Sequence, residues 1–114
     1  MQIEKTDLGE SITRLKLAGR LDINGAAMAE IPLALAAKNS RSLMLDMSEV
    51  SFVASLGVRH LLTAAKTLDR RGGKVVLFAT IAPVAEVLDS MGVTDLILLA
   101  PSEAEALDLV AEVG

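Results

Sequence analysis

Between Leu43 and Leu62 the chain reads LMLDMSEVSFVASLGVRHLL, and its hydrophobic period changes part-way. Up to Asp46 the apolar residues run without alternation, the pattern of a strand buried on both faces. Two-sided burial needs helices above and below the sheet, so this stretch points to parallel α/β architecture. From Ser55 the period is helical. Val58, Leu61, Leu62, Ala65 and Leu68 fall on one face, and Arg59, His60, Thr63, Lys66, Thr67 and Arg70 on the other. Met47 to Ala54 is the expected loop, with Val50, Phe52 and Val53 packing inward. Ser55 stands at the junction. Free backbone N–H groups and the positive end of the helix dipole make that a favoured place for a phosphate. An ordinary N-cap is the plainer role for such a serine, and local physics alone favours the cap.

The rest of the chain supplies the elements this stretch requires. Ile3 to Thr6 and Ile12 to Ala18 read as strands joined by a turn at Asp7-Leu8-Gly9-Glu10, with Thr13, Leu15 and Leu17 on one face. Gly19-Arg20-Leu21-Asp22 then leaves the sheet, and Asp22 or Asn24 is suited to cap the next helix. Asn24 to Lys38 is alanine-rich, with Met28, Ile31 and Leu35 at helical spacing. Pro32 conflicts with a continuous helix there, at a cost of about 3 kcal/mol, and implies a kink or two short pieces. Asn39-Ser40-Arg41 closes this segment.

Downstream, Gly72-Gly73 ends the Ser55 helix, and Lys74 to Phe78 is a second strand buried on both faces. Pro83 is placed as the first residue of a helix running to Met91, which Gly92 ends. Leu96 to Leu99 is a last strand. Ser102-Glu103-Ala104-Glu105 is a capping box in front of a helix carrying Ala106, Leu109, Val110 and Val113. The predicted order is β-β-α-β-α-β-α-β-α, with no linker or repeat.

Composition removes several classes of function. Aromatic residues are 2% of the 114, with no Trp or Tyr, and the net charge is −4. Base-stacking sites and basic nucleic-acid surfaces are therefore not expected. There is no cysteine, which excludes disulfides, thiol nucleophiles and cysteine-bound zinc. The polar start MQIEKTD predicts no signal peptide, and no apolar run approaches the ~20 residues that span a bilayer. A soluble, cytoplasmic protein is the expectation. His60, the only histidine, is five positions from Ser55 and so is not placed as its base. Gly72-Gly73-Lys74 lacks the order of a phosphate-binding loop. Asp22, Asp46 and Glu49 are expected near strand C-termini, where α/β sheets place ligand sites. Capping and turn roles are the alternative for all three.

Three motifs give the chain a family resemblance. Gly19-Arg20-Leu21-Asp22 resembles G-x-L-D. Leu45 to Val58, LDMSEVSFVASLGV, resembles D-x-S-x-V-x-F-hydrophobic-D-S-x-G-hydrophobic. Gly72-Gly73-Lys74 before an apolar strand, followed by Pro83 opening a helix, matches a second half. Together these resemble the STAS domain, the family of anti-sigma factor antagonists, over almost the whole chain. The resemblance implies one STAS domain over residues 1–114. Its fold would be a mixed, mostly parallel sheet of about four to five strands flanked by about four helices.

It also implies a non-enzymatic partner switch. The serine matching Ser55 is phosphorylated by a partner that is both anti-sigma factor and serine kinase. The unphosphorylated domain binds that partner and frees the sigma factor, so transcription is controlled. A PP2C-type phosphatase reverses the modification. No cofactor belongs to the domain, since ATP and magnesium are the kinase's. The implied partner surface is Asp22, Ala54, Ser55, Leu56, Gly57 and Arg59. Ala54 departs from the family pattern, which commonly has Asp before the serine. Leu56 stands where many members carry Ser or Thr, leaving Ser55 as the only hydroxyl there. Two other readings remain beside this one. One is a STAS interaction subunit of a stress-signalling or lipid-transport complex, without phospho-switching. The other is a small enzyme using the acids near Asp46.

Overall fold

The computed structural model describes residues 1–111 and contains five strands and four helices in the predicted order. They are β1 (Gln2–Asp7), β2 (Ile12–Leu21), α1 (Ile23–Asn39), β3 (Ser42–Val53), α2 (Ser55–Asp69), β4 (Val75–Phe78), α3 (Ala82–Ser90), β5 (Ile97–Ala100) and α4 (Glu103–Ala111). Val113, expected on the last helix, lies outside the described residues. The sheet order is β1-β2-β3-β4-β5. β1 pairs antiparallel with β2, and every later pairing is parallel.

The two-sided burial read from the central strands has a direct cause. Leu43, Leu45, Val75 and Leu77 face a large core built with α1, α2 and α3. Their neighbours Met44 and Val76 face the opposite side, where Ala106 and Val110 of α4 cover them with Phe78 and Ala100. Both layers exclude water from a sheet that has no polar face in its centre. β1 is mostly exposed and forms one edge.

Two boundaries differ from the sequence reading. Gly19-Arg20-Leu21 does not leave the sheet; β2 runs on to Leu21. Met47 to Val53 is not a loop, because β3 continues to Val53. The two extensions pair with each other, Gly19 with Val50, Arg20 with Phe52 and Leu21 with Val53, through two register shifts. Those irregularities break strict alternation, which hid the strand from a period-2 reading. β4 reaches only as far as Asp46, opposite Phe78, so the end of β3 projects beyond the sheet's centre with β2 alone beside it. Val50 and Val53 pack inward as expected, whereas Phe52 is exposed.

Helix α1 also differs. It is one helix with Pro32 inside it, not two pieces. Met28, whose carbonyl the missing N–H would have bonded, is exposed, so water can replace that donor. The periodic apolar residues are not its buried face. Ala26, Ala29, Leu33, Ala36 and Ala37 are buried, and Met28, Ile31 and Leu35 point outward. The last helix begins as half of the expected capping box. Glu105 N–H donates to Ser102 Oγ at 3.3 Å, but no return bond from the Glu105 carboxylate exists among the described residues. Pro83 is the second residue of α3 rather than the first.

Candidate functional site

The projecting end of β3 delivers Ala54 and Ser55 to the surface. Ala54 N–H donates to Leu21 carbonyl at 2.9 Å, and Ala54 itself is extended, at φ −96° and ψ 165°. That conformation makes Ala54, not Ser55, the N-cap of α2. The first intrahelical bond runs from Val58 N–H to Ala54 carbonyl at 3.1 Å. The N–H groups of Ser55, Leu56 and Gly57 precede it, and the alanine methyl offers them no acceptor. The expected capping role for Ser55 is thereby corrected. Ser55 is the first residue of the helix, exposed, and its hydroxyl makes no hydrogen bond among the described residues.

The neighbouring helix start is built differently. Asp22 caps α1, its Oδ1 accepting from Gly25 N–H at 2.8 Å. Its other oxygen lies 3.7 Å from Arg20 Nε, and the Arg20 guanidinium sits 4.4 Å above the Phe52 ring. Phe52 is 39% exposed. Asp22, Ile23, Asn24, Phe52 and Ala54 line an open depression of about 370 Å³ beside Ser55. Arg20, Phe52 and Ile23 were not read from the sequence as part of this surface. The G-x-L-D residues hold Arg20 and the SF of the central motif holds Phe52, while Ile23 belongs to neither; only the register of β2 on β3 shows that Arg20 and Phe52 meet.

The remaining expected contact residues separate into two groups. Arg59 is exposed one turn beyond Ser55, and Leu56 is half-buried. Gly57 is buried: a Cβ there would come within 2.7 Å of Leu21 Cγ and 2.8 Å of Cδ2. It offers no side chain to a partner. Its absence of one lets α2 lie against the end of β2. His60 is half-buried in a groove of about 310 Å³ between α1 and α2, with Glu30, Arg59, Thr63 and Thr67.

The acids do not assemble. Asp46 Oδ1 accepts from Ser48 N–H at 3.0 Å and from Ser48 Oγ at 2.7 Å, a local turn bond. Glu49 pairs with Lys16 at 2.6 Å, and its hydrogen bond and charge hold the lysine above its ordinary pKa. Asp46 is level with Lys16 on β2, and Asp22 lies six residues further along, about 20 Å for extended chain. No cluster of three or more acidic or histidine side chains suited to a metal occurs among the described residues.

A family model described as the STAS domain matches residues 5–106. The chain belongs to the STAS domain family. Solved structures agree on the fold. The anti-sigma factor antagonist SpoIIAA in its unphosphorylated form superposes with a TM-score of 0.81 at 20% identity, covering 99% of each chain. The Bacillus cell fate determinant SpoIIAA in its phosphorylated form gives 0.73 at 20% identity, over 96% of this chain and 99% of that one. An anti-sigma factor antagonist from Mycobacterium paratuberculosis gives 0.84 at 21% identity, over 97% and 94%. Within this STAS domain, the G-x-L-D residues end β2 and the central motif forms the end of β3 and the start of α2. No helix among the described residues is long and apolar enough to cross a membrane.

Proposed function

We propose that this STAS domain, spanning residues 1–114, is an anti-sigma factor antagonist that switches partners through phosphorylation of Ser55. The observation that carries the proposal is the state of Ser55: exposed, unbonded, at the first position of a helix whose leading N–H groups lack a side-chain cap. A phosphoryl group there adds about −1.5 to −2 charge at neutral pH, where the helix dipole favours it. The fold tolerates the new charge, while a docked partner meets a dianion in place of a hydroxyl. Asp22, Ala54, Leu56 and Arg59 share the surface with Ser55, and Gly57 supports it from beneath. One protein of similar fold, the Bacillus SpoIIAA, has itself been solved in a phosphorylated form.

In this reading the unphosphorylated domain binds an anti-sigma factor that is also a serine kinase, and thereby frees a sigma factor in the cytoplasm. Phosphorylation by that partner releases the domain, and a PP2C-type phosphatase resets it. The domain is substrate and switch rather than catalyst, and it carries no cofactor of its own. Local bonding of Asp46 and Glu49 supports that assignment over an enzyme built on those acids.

Ala54 favours a second reading. Without the acidic residue common before the family serine, the domain would serve as a constitutive interaction subunit of a stress-signalling or lipid-transport complex. Incubation with ATP, magnesium and the cognate kinase, read by intact mass, separates the two. The wild type gains the mass of one phosphate and Ser55→Ala gains none. No gain on the wild type, or an equal gain on Ser55→Ala, defeats the switch at Ser55.

A further inference from the structure

Arg59 is the first basic residue of α2, one turn on from Ser55, and it is exposed. Nothing holds its charge. Arg14 pairs with Glu103, Arg20 lies against Asp22 and Phe52, and Arg71 closes on the carbonyls that end α1. The Arg59 guanidinium has no hydrogen bond or ion pair among the described residues, although Glu30 lines the same groove. Thr63 Oγ1, the next polar group along the helix, donates to the Arg59 carbonyl at 2.9 Å and leaves the guanidinium untouched. Ser55, Arg59, Thr63 and Thr67 follow one another at intervals of four, so Ser55 heads the stripe on which Arg59 stands. Residues spaced in this way have Cβ atoms about 5–6 Å apart, well within reach of an arginine. An acid placed before a base at this spacing is the more favourable of the two orders. That is the order here once Ser55 carries a phosphoryl group. The unmodified hydroxyl gives the guanidinium no charge to pair with.

We propose that Arg59 is the internal counter-ion of phosphorylated Ser55, its guanidinium closing on the phosphoryl oxygens across one turn of α2. The proposal rests on the reading of Ser55 as the modified residue. A guanidinium presents paired N–H donors in one plane, which suits the oxygens of a phosphate. The surroundings favour the pair. Ala54 brings no carboxylate to the junction. Asp22, the acid across the depression, already accepts from Gly25 N–H and lies beside Arg20. Glu30 is the competitor, facing Arg59 from α1. A phosphoryl group of about −1.5 to −2 charge attracts the guanidinium more strongly than one carboxylate does. Phosphorylation then alters the surface twice. It adds an anion, and it draws in a cation that was free to meet a partner.

The pairing is tested without a kinase, by placing phosphoserine at position 55 during translation of the full chain. Its phosphorus resonance is followed through a pH titration, where the second ionisation ordinarily falls near pH 6. A cation beside the phosphate favours the dianion, so the midpoint in Arg59→Gln should lie above the wild type by about 0.2–0.4. Arg59→Lys should recover part of that difference, and high salt should shrink it. Lys66→Gln removes the same charge about 16 Å further along the helix and should leave the midpoint in place. An imidazole charges in the same pH range. The series is therefore repeated in His60→Gln, where the effect of Arg59 should persist. Equal midpoints in the wild type and Arg59→Gln overturn the pairing, as does an equal displacement by Arg59→Gln and Lys66→Gln. A kinase that leaves Ser55 unmodified would instead defeat the switch on which the proposal rests, and it would not move these midpoints.

Discussion

Ser55 begins the helix one position later than a capping serine would. That single step separates a hydroxyl committed to backbone N–H groups from one left free on the surface. The sequence shows a serine at a strand-to-helix junction and cannot show which of the two it is, because Ala54 and Ser55 are both compatible with the junction. The decision is made by backbone pairing, since Ala54 N–H bonds Leu21 carbonyl and the cap position is thereby fixed on the alanine. Gly57 is legible in the sequence as a motif residue, but its role is not. It is a packing residue, and its tolerance can be measured. A methyl at Gly57 meets Leu21 side-chain atoms at 2.7–2.8 Å and the Leu21 carbonyl at 3.1 Å. Gly57→Ala should therefore cost about 1–3 kcal/mol by overpacking. In a domain of this size that lowers the melting temperature by roughly 4 °C or more. Trimming the obstacle with Leu21→Ala in the same chain should make the two losses less than additive, as urea unfolding would show. Full additivity would mean that the two residues do not compete for one space.

At the scale of elements, the strands and helices are legible wherever the hydrophobic period is clean, as in β4 and the buried face of α2. They are obscured where another constraint overrides the period. The ends of β2 and β3 pair through register shifts, so their residues do not alternate. Helix α1 packs against the sheet and α2 with small residues, so its large ones are free to face outward. Its C-terminal end shows a further device the sequence conceals. Arg71, in the turn after α2, donates to the carbonyls of Lys38 at 2.9 Å, Ser40 at 2.9 Å and Ala37. These are the unpaired carbonyls at the end of α1, and a guanidinium answers them across more than thirty residues of chain. In the sequence Arg70-Arg71 looks like a minor basic patch, because nothing local marks a partner so distant. Removing the fork in Arg71→Ala should cost roughly 1.5–3 kcal/mol, the range for hydrogen bonds to a charged group. Arg71→Lys should recover only part of it, because an ammonium cannot hold three carbonyls in one plane. Denaturant midpoints of the three chains check this. A full recovery by lysine would reduce the role to one of charge alone.

At the scale of the whole molecule, the arrangement separates the proposed switch from what holds the fold. The two cores lie on opposite faces of the sheet, and the larger one extends through β2 to Leu21, Val53 and Val58 beneath the start of α2. Ser55 lies past the point where β4 ends, on an extension of β3 that only β2 accompanies. Ser55 is exposed, so a charge added there is solvated, and it joins N–H groups that have no side-chain cap. The expected result is a change at the surface with the interior unmoved. Ser55→Asp should keep its melting temperature within a few degrees of the wild type, since a charge at a helix N-terminus is worth about 0.3–1 kcal/mol and is favourable in sign. Amide exchange in Leu43–Leu45 and Val75–Phe78 should be unaltered, because those amides open only with the whole domain. Binding to the proposed anti-sigma kinase should nonetheless weaken, as the carboxylate desolvates poorly against a docked surface. Melting, exchange and binding measured on one preparation distinguish the outcomes. If the central strands lose protection together with binding, Ser55 acts through the fold. If binding is lost while protection stands, the switch is a matter of surface charge, which is what its position beyond the sheet's centre requires.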